Sequence, residues 1–171
     1  MANMEHSTGD MKQALENWQQ GRSTLDEIRT MASDLGNQHF APGIPVLIQL
    51  LDYDDEIVRY NAVNSLAFEF HHQPVVAKLQ TMLTKESDED NRRIAAAALG
   101  TLCLNSKNRS ILKALANAAL NDLDDDVRRS AYEALITVNG VSREEHLRLL
   151  TGGSLPVDQA RVQTILTEIS G

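Results

Sequence analysis

The chain has 171 residues, of which 42% are hydrophobic and only 4% aromatic, and its formal net charge is −8. This length is enough to bury a core without the support of metals or disulfides. The low aromatic content and the frequent Ala and Leu residues favour closely packed helices over a sheet. The 16 basic residues are scattered among 24 acidic ones, which argues against nucleic acid as a partner because the phosphate backbone would be repelled.

Cysteine use and hydropathy indicate the compartment. Cys103 is the single cysteine, so no disulfide framework is possible, and a reducing environment is expected. Its apolar surroundings favour a core role over that of a reactive nucleophile. The first ten residues have neither the basic nor the apolar part of a secretory signal, and prolines interrupt the longest uncharged run, 35–51. We therefore expect a cytoplasmic chain without a membrane-spanning helix.

The first predicted element is a helix that starts at Asp10, after a disordered stretch at residues 1–9. Apolar residues spaced three and four apart give it one buried face, and it ends at Gly21. Trp18 lies on that face. Its ring either closes the end of the core or anchors a partner, and the sequence favours the first role.

A second helix follows, with Leu25 among the residues expected inside. Thr24 and Glu27 form a capping box at its start, in which each side chain satisfies the other residue's backbone N–H. Gly36 and Asn37 are expected to end it. The first two helices together form an atypical N-terminal repeat.

The centre of the chain contains an internal repeat. The pattern Asp-x3-Arg-x2-Ala-x3-Leu begins at Asp55, returns 33 residues later at Asp88, and returns after a further 36 at Asp124. Each copy follows an apolar segment of helical period, which in the first repeat includes Ile48. Repeats of this length with two helices each predict an all-α fold, an α-solenoid of about five antiparallel helix pairs.

The last repeat is degenerate. Ser142 and Glu145 form another capping box, and Pro156 opens a final helix in which Arg161 matches the repeat only after a shift of one position. Such divergence is typical of a terminal repeat, whose outer face meets water. The sequence thus predicts one repeat domain, 10–171, divided into 10–37, 43–73, 74–108, 109–140 and 141–171.

The three central segments, DDEIVRYNAVNSL, DEDNRRIAAAALGTL and DDDVRRSAYEAL, resemble the HEAT-like repeats of phycobilisome lyase subunits. The resemblance covers about residues 43–140. It implies a concave surface that is lined by the second helices and commonly holds the partner. Scaffolds, adaptors, inhibitors, chromophore lyases and a DNA glycosylase branch share this repeat, so the resemblance implies no catalytic residue.

Acidic turns precede the three second helices and hold half of the chain's acids. Stacked repeats place equivalent turns side by side, so an acidic edge is expected. One acid in each turn would cap the helix, and the others would favour its dipole. The excess leaves open a docking edge for a basic partner or a weak divalent-cation site. The edge residues selected for a partner are Asp54, Asp55, Asp88, Glu89, Asp124 and Asp125.

The motif arginines, Arg59, Arg92 and Arg128, follow an aspartate by one helical turn. They are expected to pair within their own repeat or with the acidic turn of a neighbouring repeat, which would fix the stacking angle. Anion binding is the alternative.

The presumed concave face combines aromatic, polar and small side chains. A shallow groove floored by Ala and Gly would suit a peptide or a partner helix. The alternative is that the small residues only let helices approach closely. The residues selected for partner binding are Tyr60, Asn64, Phe68, Arg93, Ala97, Arg129, Tyr132 and Glu133.

No pattern in the sequence indicates catalysis or a cofactor. His71 and His72 are adjacent, so they point in different directions on a helix, and no metal site is predicted. Nucleophile triads, phosphate loops and dinucleotide fingerprints are lacking. The sequence favours a monomeric, non-catalytic protein-binding module: an adaptor, a scaffold or a stoichiometric inhibitor of the immunity type. Its partner would be another protein, and a basic one if it docks on the acidic edge. The alternatives are a bilin-chromophore lyase subunit or phycobilisome-associated protein and, more weakly, a DNA-repair protein.

Overall fold

The computed structural model describes residues 2–142, 144, 145, 147 and 155–170, with side chains from Thr8 onward. All regular secondary structure in this part of the chain is helical, which confirms the predicted all-α class. The residues form two compact units, Met1–Val75 and Val76–Gly171. The division falls two residues after the predicted boundary between the first and second central repeats.

The first unit is built from two consecutive helix pairs. In the first pair α1 packs on α2, and in the second α3 packs on α4. Helix α1 begins eight residues before the predicted start at Asp10, within the stretch expected to be disordered. The helices are α1 (Ala2–Gln19), α2 (Leu25–Asn37), α3 (Ile44–Leu50) and α4 (Glu56–Asn64).

For helix α2 the predicted capping box is confirmed, whereas the predicted role of Gly36 at its C-terminal end is wrong. The capping box is present: the Thr24 N–H donates to Glu27 Oε2 at 2.8 Å, and the Glu27 N–H donates to Thr24 Oγ1 at 3.4 Å. Gly36 does not end the helix. It lies against Ser65, whose Cα would be only 2.9 Å from an added Cβ. This glycine therefore serves close helix packing rather than helix termination.

Helix α4 ends at Asn64, after which the helical geometry changes. A π-helix occupies Ser65–Glu69, and the Phe70 N–H donates to the Ser65 carbonyl at 3.0 Å. The Ser65 side chain is buried and donates to the Ala32 carbonyl at 2.7 Å. A wider turn at this point accommodates the close packing of α2 on α4.

The second unit contains the two regular repeats and the C-terminal helix. Helix α5 packs on α6, α7 packs on α8, α6 packs on α8, and the last helix packs on α7. Leu99 and Leu135, the last residues of their motif copies, are fully buried. The helices are α5 (Val76–Lys85), α6 (Glu89–Leu102), α7 (Arg109–Asn121), α8 (Asp125–Asn139) and α9 (Gln159–Glu168).

The polar turn after α6 caps a different helix. Asn105 and Lys107 adopt positive φ angles of 55° and 51°, and their N–H groups donate to the carbonyls of Thr137 and Val138, both at 3.0 Å. Carbonyls in the last turn of a helix have no partner within the helix. The turn therefore satisfies the C-terminal end of α8.

Two predicted core positions are wrong. Leu25 is 39% exposed and Ile48 is 40% exposed. Both lie on short or terminal helical segments, where the helical period alone does not define which side meets the next element. Leu25 lines the pocket beside Tyr53 that is described below.

Candidate partner-binding surfaces

The aspartate that begins each motif copy caps its helix. Asp55 accepts from the Val58 N–H at 3.0 Å, and Asp88 accepts from the Asn91 N–H at 2.8 Å. Asp124 accepts from two N–H groups of α8, each at 2.9 Å. These contacts confirm the capping role expected of one acid in each turn.

Two arginines bridge from one helix pair to the acidic turn of the next. Within the first unit, Arg29 donates to both Asp55 oxygens at 3.0 and 2.5 Å. Within the second, Arg92 donates to both Asp122 oxygens at 2.9 and 3.0 Å. The fork geometry of guanidinium matches a carboxylate, so each pair fixes how consecutive helix pairs stack. This is the inter-repeat pairing expected for Arg92.

These pairs also hold their carboxylates ionised. The Arg29 hydrogen bonds hold the pKa of Asp55 below its usual value despite some desolvation. At Asp122, burial acts to raise the pKa, but the hydrogen bonds from Arg92 and from the Asp124 N–H lower it by more. Both aspartates therefore stabilise the fold in the charged form.

The motif arginines also share a contact that the sequence analysis missed. Each donates to the backbone carbonyl six residues before it: Arg59 to Tyr53 at 2.7 Å, Arg92 to Glu86 at 3.2 Å and Arg128 to Asp122 at 2.7 Å. Because the acceptors are backbone carbonyls of three different residue types, no residue pattern in the sequence marks this contact. Each arginine thus stabilises the conformation of the turn that precedes its own helix.

The repeat architecture agrees with a family comparison. The family model for HEAT repeats matches residues 22–100 and, in an overlapping alignment, residues 44–136. These matches span most of the chain. The chain belongs to the HEAT-repeat family. No curated protein matches it.

The second arginines of the HEAT motifs are at least partly exposed to solvent. Arg93 is half-buried and pairs with Asp90 at 2.7 Å, while Arg129 is exposed and pairs with Asp126 at 2.9 Å. Each pair joins residues three apart at the start of one helix. Such exposed pairs contribute little to stability, so a partner can compete for these arginines at small cost.

The small residues of α6, in the second unit, allow close packing of helices. An added Cβ on Gly100 would lie 3.1 Å from both the Cα and the Cβ of Ala134, so α6 and α8 touch here. Ala96 is fully buried, whereas Ala97 is half-buried. The Ser130 hydroxyl donates to the Arg93 carbonyl at 3.1 Å. Gly100 and Ala96 therefore let the helices approach closely, as the alternative interpretation held. Ala97 remains at the surface.

The aromatic and acidic residues predicted on α8 are engaged by the chain itself. Tyr132 is 3% exposed, and this burial removes it from the surface on which the sequence analysis placed it. Glu133 is half-buried and accepts from the Leu155 N–H at 3.0 Å. Leu155 and Arg161 of the C-terminal segment contact this part of α8, which the helical period of α8 alone could not reveal.

Another carboxylate–arginine pair, Glu145 and Arg161, lies near Tyr132. Arg161 of α9 donates to Glu145, and the predicted capping box with Ser142 is present, with N–H contacts of 3.1 and 3.2 Å. The Arg161 hydrogen bond and the Ser142 N–H lower the pKa of Glu145 to about 2. Tyr132 also helps to raise the pKa of Arg161. This network holds the C-terminal helix against the buried ring.

In the first HEAT unit the predicted partner-binding residues lie on one helical segment. Tyr60, Asn64 and Phe68 are all half-buried. They succeed one another at intervals of four residues, although Phe68 belongs to the π-helix. The segment presents an aromatic, polar and aromatic series at the surface of this unit.

The turn before α4 also borders a pocket that the sequence analysis did not predict. Trp18 and Tyr53 pack with ring centroids 5.8 Å apart and an interplanar angle of 59°. Trp18 thus has the packing role that the sequence favoured. Beside Tyr53 an open pocket of about 550 Å³ is lined by Leu25 and residues 52–56.

The remaining candidates are structural. Cys103 is buried, and burial raises the pKa of its thiol, which opposes thiolate formation. Within the described residues, no group of three or more His, Cys, Asp or Glu side chains is placed to hold a metal ion. His71 adopts a positive φ of 47° at the end of the π-helix. No helix in the described part of the chain is long and apolar enough to cross a bilayer.

Proposed function

We propose that the chain is a non-catalytic protein-binding module that acts as an adaptor, a scaffold or a stoichiometric inhibitor. HEAT repeats are commonly protein-interaction scaffolds and typically non-enzymatic. The observation that supports this role most directly is the surface of α6 and α8 in the second unit. There Arg93 and the half-buried Ala97 lie about one helical turn apart on α6, and Arg129 occupies the position on α8 that is equivalent to Arg93. Each arginine pairs with an acid of its own first turn.

These features suit a protein partner. The pairs with Asp90 and Asp126 are exposed and weak, so a carboxylate of the partner can replace either internal acid at small cost. Arginine is enriched at the centres of protein interfaces. On the first unit we propose Tyr60, Asn64 and Phe68 as a second contact surface.

The acidic turns are proposed to steer a basic partner. Several edge residues already have structural roles, because Asp55, Asp88 and Asp124 cap helices and Asp125 pairs with Arg128. The exposed acids Asp54 and Glu89 are therefore the ones whose removal should change steering without loosening the fold. Charge of this kind alters the association rate more than the final affinity.

The proposal is tested by affinity capture from native extract at low and high salt, with retained species identified by mass. We expect a stoichiometric protein that elutes as salt rises. The double variant Arg93→Glu/Arg129→Glu should retain at least tenfold less of it, since both contacts would become repulsive. The matched control is Arg109→Glu/Lys113→Glu, which makes the same charge change at exposed positions of α7 and should capture normally.

Other results would overturn the proposal. Equal capture by both double variants would exclude the α6–α8 surface. A coloured small molecule retained in place of a protein would favour the bilin-handling alternative. We also propose that the chain acts as a cytoplasmic monomer; light scattering should then give a mass near 18.9 kDa for the isolated chain.

A further inference from the structure

The helices α2, α4, α6 and α8 can be compared position by position, counting from the residue that caps each of them. In three of the four, the second residue after the cap is an aspartate that pairs with an arginine three residues further on. The caps are Thr24, Asp55, Asp88 and Asp124. The pairs are Asp26–Arg29 at 3.3 Å, Asp90–Arg93 at 2.7 Å and Asp126–Arg129 at 2.9 Å. A surface ion pair is therefore the common feature of these positions.

Helix α4 differs from the other three, because the same two positions hold Ile57 and Tyr60. Ile57 is 44% exposed and Tyr60 is half-buried. A third difference follows on the same segment, where the half-buried Phe68 takes the place of Thr101 in α6 and Thr137 in α8. The surface of the first unit thus has apolar side chains at positions where the second unit has ion pairs and hydroxyl groups.

These three side chains lie on one side of their helical segment and are called the apolar stripe below. At about 100° per residue, Ile57 and Tyr60 lie within about 60° of each other around the helix axis, and Phe68 follows Tyr60 after about two further turns. At about 1.5 Å per residue the stripe is about 16 Å long, which matches about three turns of a partner helix. Single exposed apolar residues are ordinary, whereas a continuous group of them marks an interaction site.

The distribution of charge along the chain specifies the chemistry of the partner. Residues 1–75, the first unit, contain 11 acidic and four basic residues, whereas residues 76–171 contain 13 acidic and 12 basic ones. Two of the four bases of the first unit are bound within it, because Arg29 donates to Asp55 and Arg59 donates to the Tyr53 carbonyl. Nearly all of the net negative charge therefore lies in the unit that has the apolar stripe, and a cationic partner is attracted to that unit.

We propose that the apolar stripe binds a cationic amphipathic helix of the partner protein. The apolar face of that helix would lie on Ile57, Tyr60 and Phe68, and its basic residues would face the acidic first unit. An anionic membrane fits the surface less well, because its headgroups would repel the same unit. This inference rests on the proposed function, because the helix belongs to a protein. It adds Ile57 to the contact surface of the first unit and names the kind of segment that this surface binds.

The test titrates the full chain with the amphipathic peptide acetyl-LKKLLKLLKKLLKL-amide and follows the backbone amide shifts. A scrambled peptide of the same composition keeps the charge but has no apolar face, and a third peptide has glutamate in place of each lysine. With the amphipathic peptide we expect saturable shifts centred on Ile57, Tyr60 and Phe68. The scrambled peptide should bind at least tenfold more weakly, because it cannot cover the stripe, and the acidic peptide should not bind.

The other helices supply the variants that remove the stripe. Ile57→Asp/Tyr60→Arg gives α4 the ion pair of α2, α6 and α8 without changing the net charge, so it should bind the peptide at least tenfold more weakly while its urea midpoint stays near that of the unchanged chain. Phe68→Thr, which introduces the residue of α6 and α8, should weaken binding about threefold or more. The matched control is Asn117→Asp/Asn121→Arg, which adds a charged pair at exposed positions of α7 and should bind normally.

Three results would overturn the proposal. Equal binding of the amphipathic and scrambled peptides would mean that charge alone is recognised. Unchanged binding by Ile57→Asp/Tyr60→Arg would place the peptide elsewhere on the chain. Flotation of the chain with phosphatidylcholine–phosphatidylglycerol vesicles, lost in the same variant, would make the stripe a membrane-binding surface instead.

This proposal and the proposed function can fail separately. If Ile57→Asp/Tyr60→Arg captures the partner as strongly as the unchanged chain does, the proposal for the stripe is wrong while the protein-binding function stands. If the peptide binds the stripe but capture from native extract retains no protein, the protein-binding function fails, while the stripe remains a surface for cationic helices.

Discussion

Two acidic turns with the same motif use their aspartates differently. In the turn before α4, Asp55 both caps the helix and receives Arg29. In the turn before α8 these tasks are divided, because Asp124 caps the helix and Asp122 receives Arg92. The difference follows from a single position, since Tyr53 stands where the later turn has Asp122. Where the later turn has a carboxylate for the neighbouring arginine, the first turn has a ring that packs on Trp18, and its arginine is bound by the capping aspartate instead.

The largest expected effect tests whether one aspartate performs two tasks. Asp55→Ala should lower the free energy of unfolding by about 2–3 kcal/mol, because it removes a helix cap and a charged hydrogen-bond pair. Asp124→Ala should cost about 1 kcal/mol and Asp122→Ala about 1–2 kcal/mol. Urea denaturation of the three variants measures these values. A loss at Asp55 no greater than that at Asp124 would contradict the comparison.

A smaller effect is expected when the first turn is made to resemble the later one. Tyr53→Asp removes the ring that packs on Trp18, which should lower stability by about 1–2 kcal/mol. The Trp18 emission should shift to the red as its ring becomes more hydrated. The control is Leu123→Asp in the later turn: its side chain is 97% exposed, so stability should stay within about 0.5 kcal/mol. An unchanged Trp18 spectrum in Tyr53→Asp would count against the packing described.

The Glu145–Arg161 pair should make the stability of the chain depend on pH in the acid range. Because the folded pKa of Glu145 is about 2, below its ordinary value, the pair's contribution is fully present above about pH 4.5 and is lost as the pH falls toward 2. With solvent screening, this contribution is about 1 kcal/mol. Glu145→Gln should therefore be less stable at pH 7 and should lose less stability than the unchanged chain between pH 4.5 and pH 2. Denaturant titrations at both pH values measure the difference, and parallel losses would exclude the pair.

The sequence contained most of the local structure because the relevant contacts lie within one or two turns of chain. The capping role of one acid in each turn and both capping boxes were predicted correctly. Contacts between elements were harder. The burial of Tyr132 depends on a segment more than 20 residues away, and nothing in the period of α8 indicates which residue covers it. The pocket beside Tyr53 likewise depends on Leu25 and Tyr53 meeting across two helix pairs.

The smallest effect on stability is expected for Asp126→Asn, which changes only surface charge. Asp126→Asn breaks the Asp126–Arg129 pair, whose side chains are exposed, so stability should change by less than about 0.5 kcal/mol. It also frees Arg129 on the proposed partner surface. If that surface binds acidic groups of the partner, capture should be unchanged or stronger, because the partner no longer competes with Asp126. Weaker capture at unchanged stability would mean that Asp126 itself contacts the partner, and that the later turn binds through its acids despite their internal arginines.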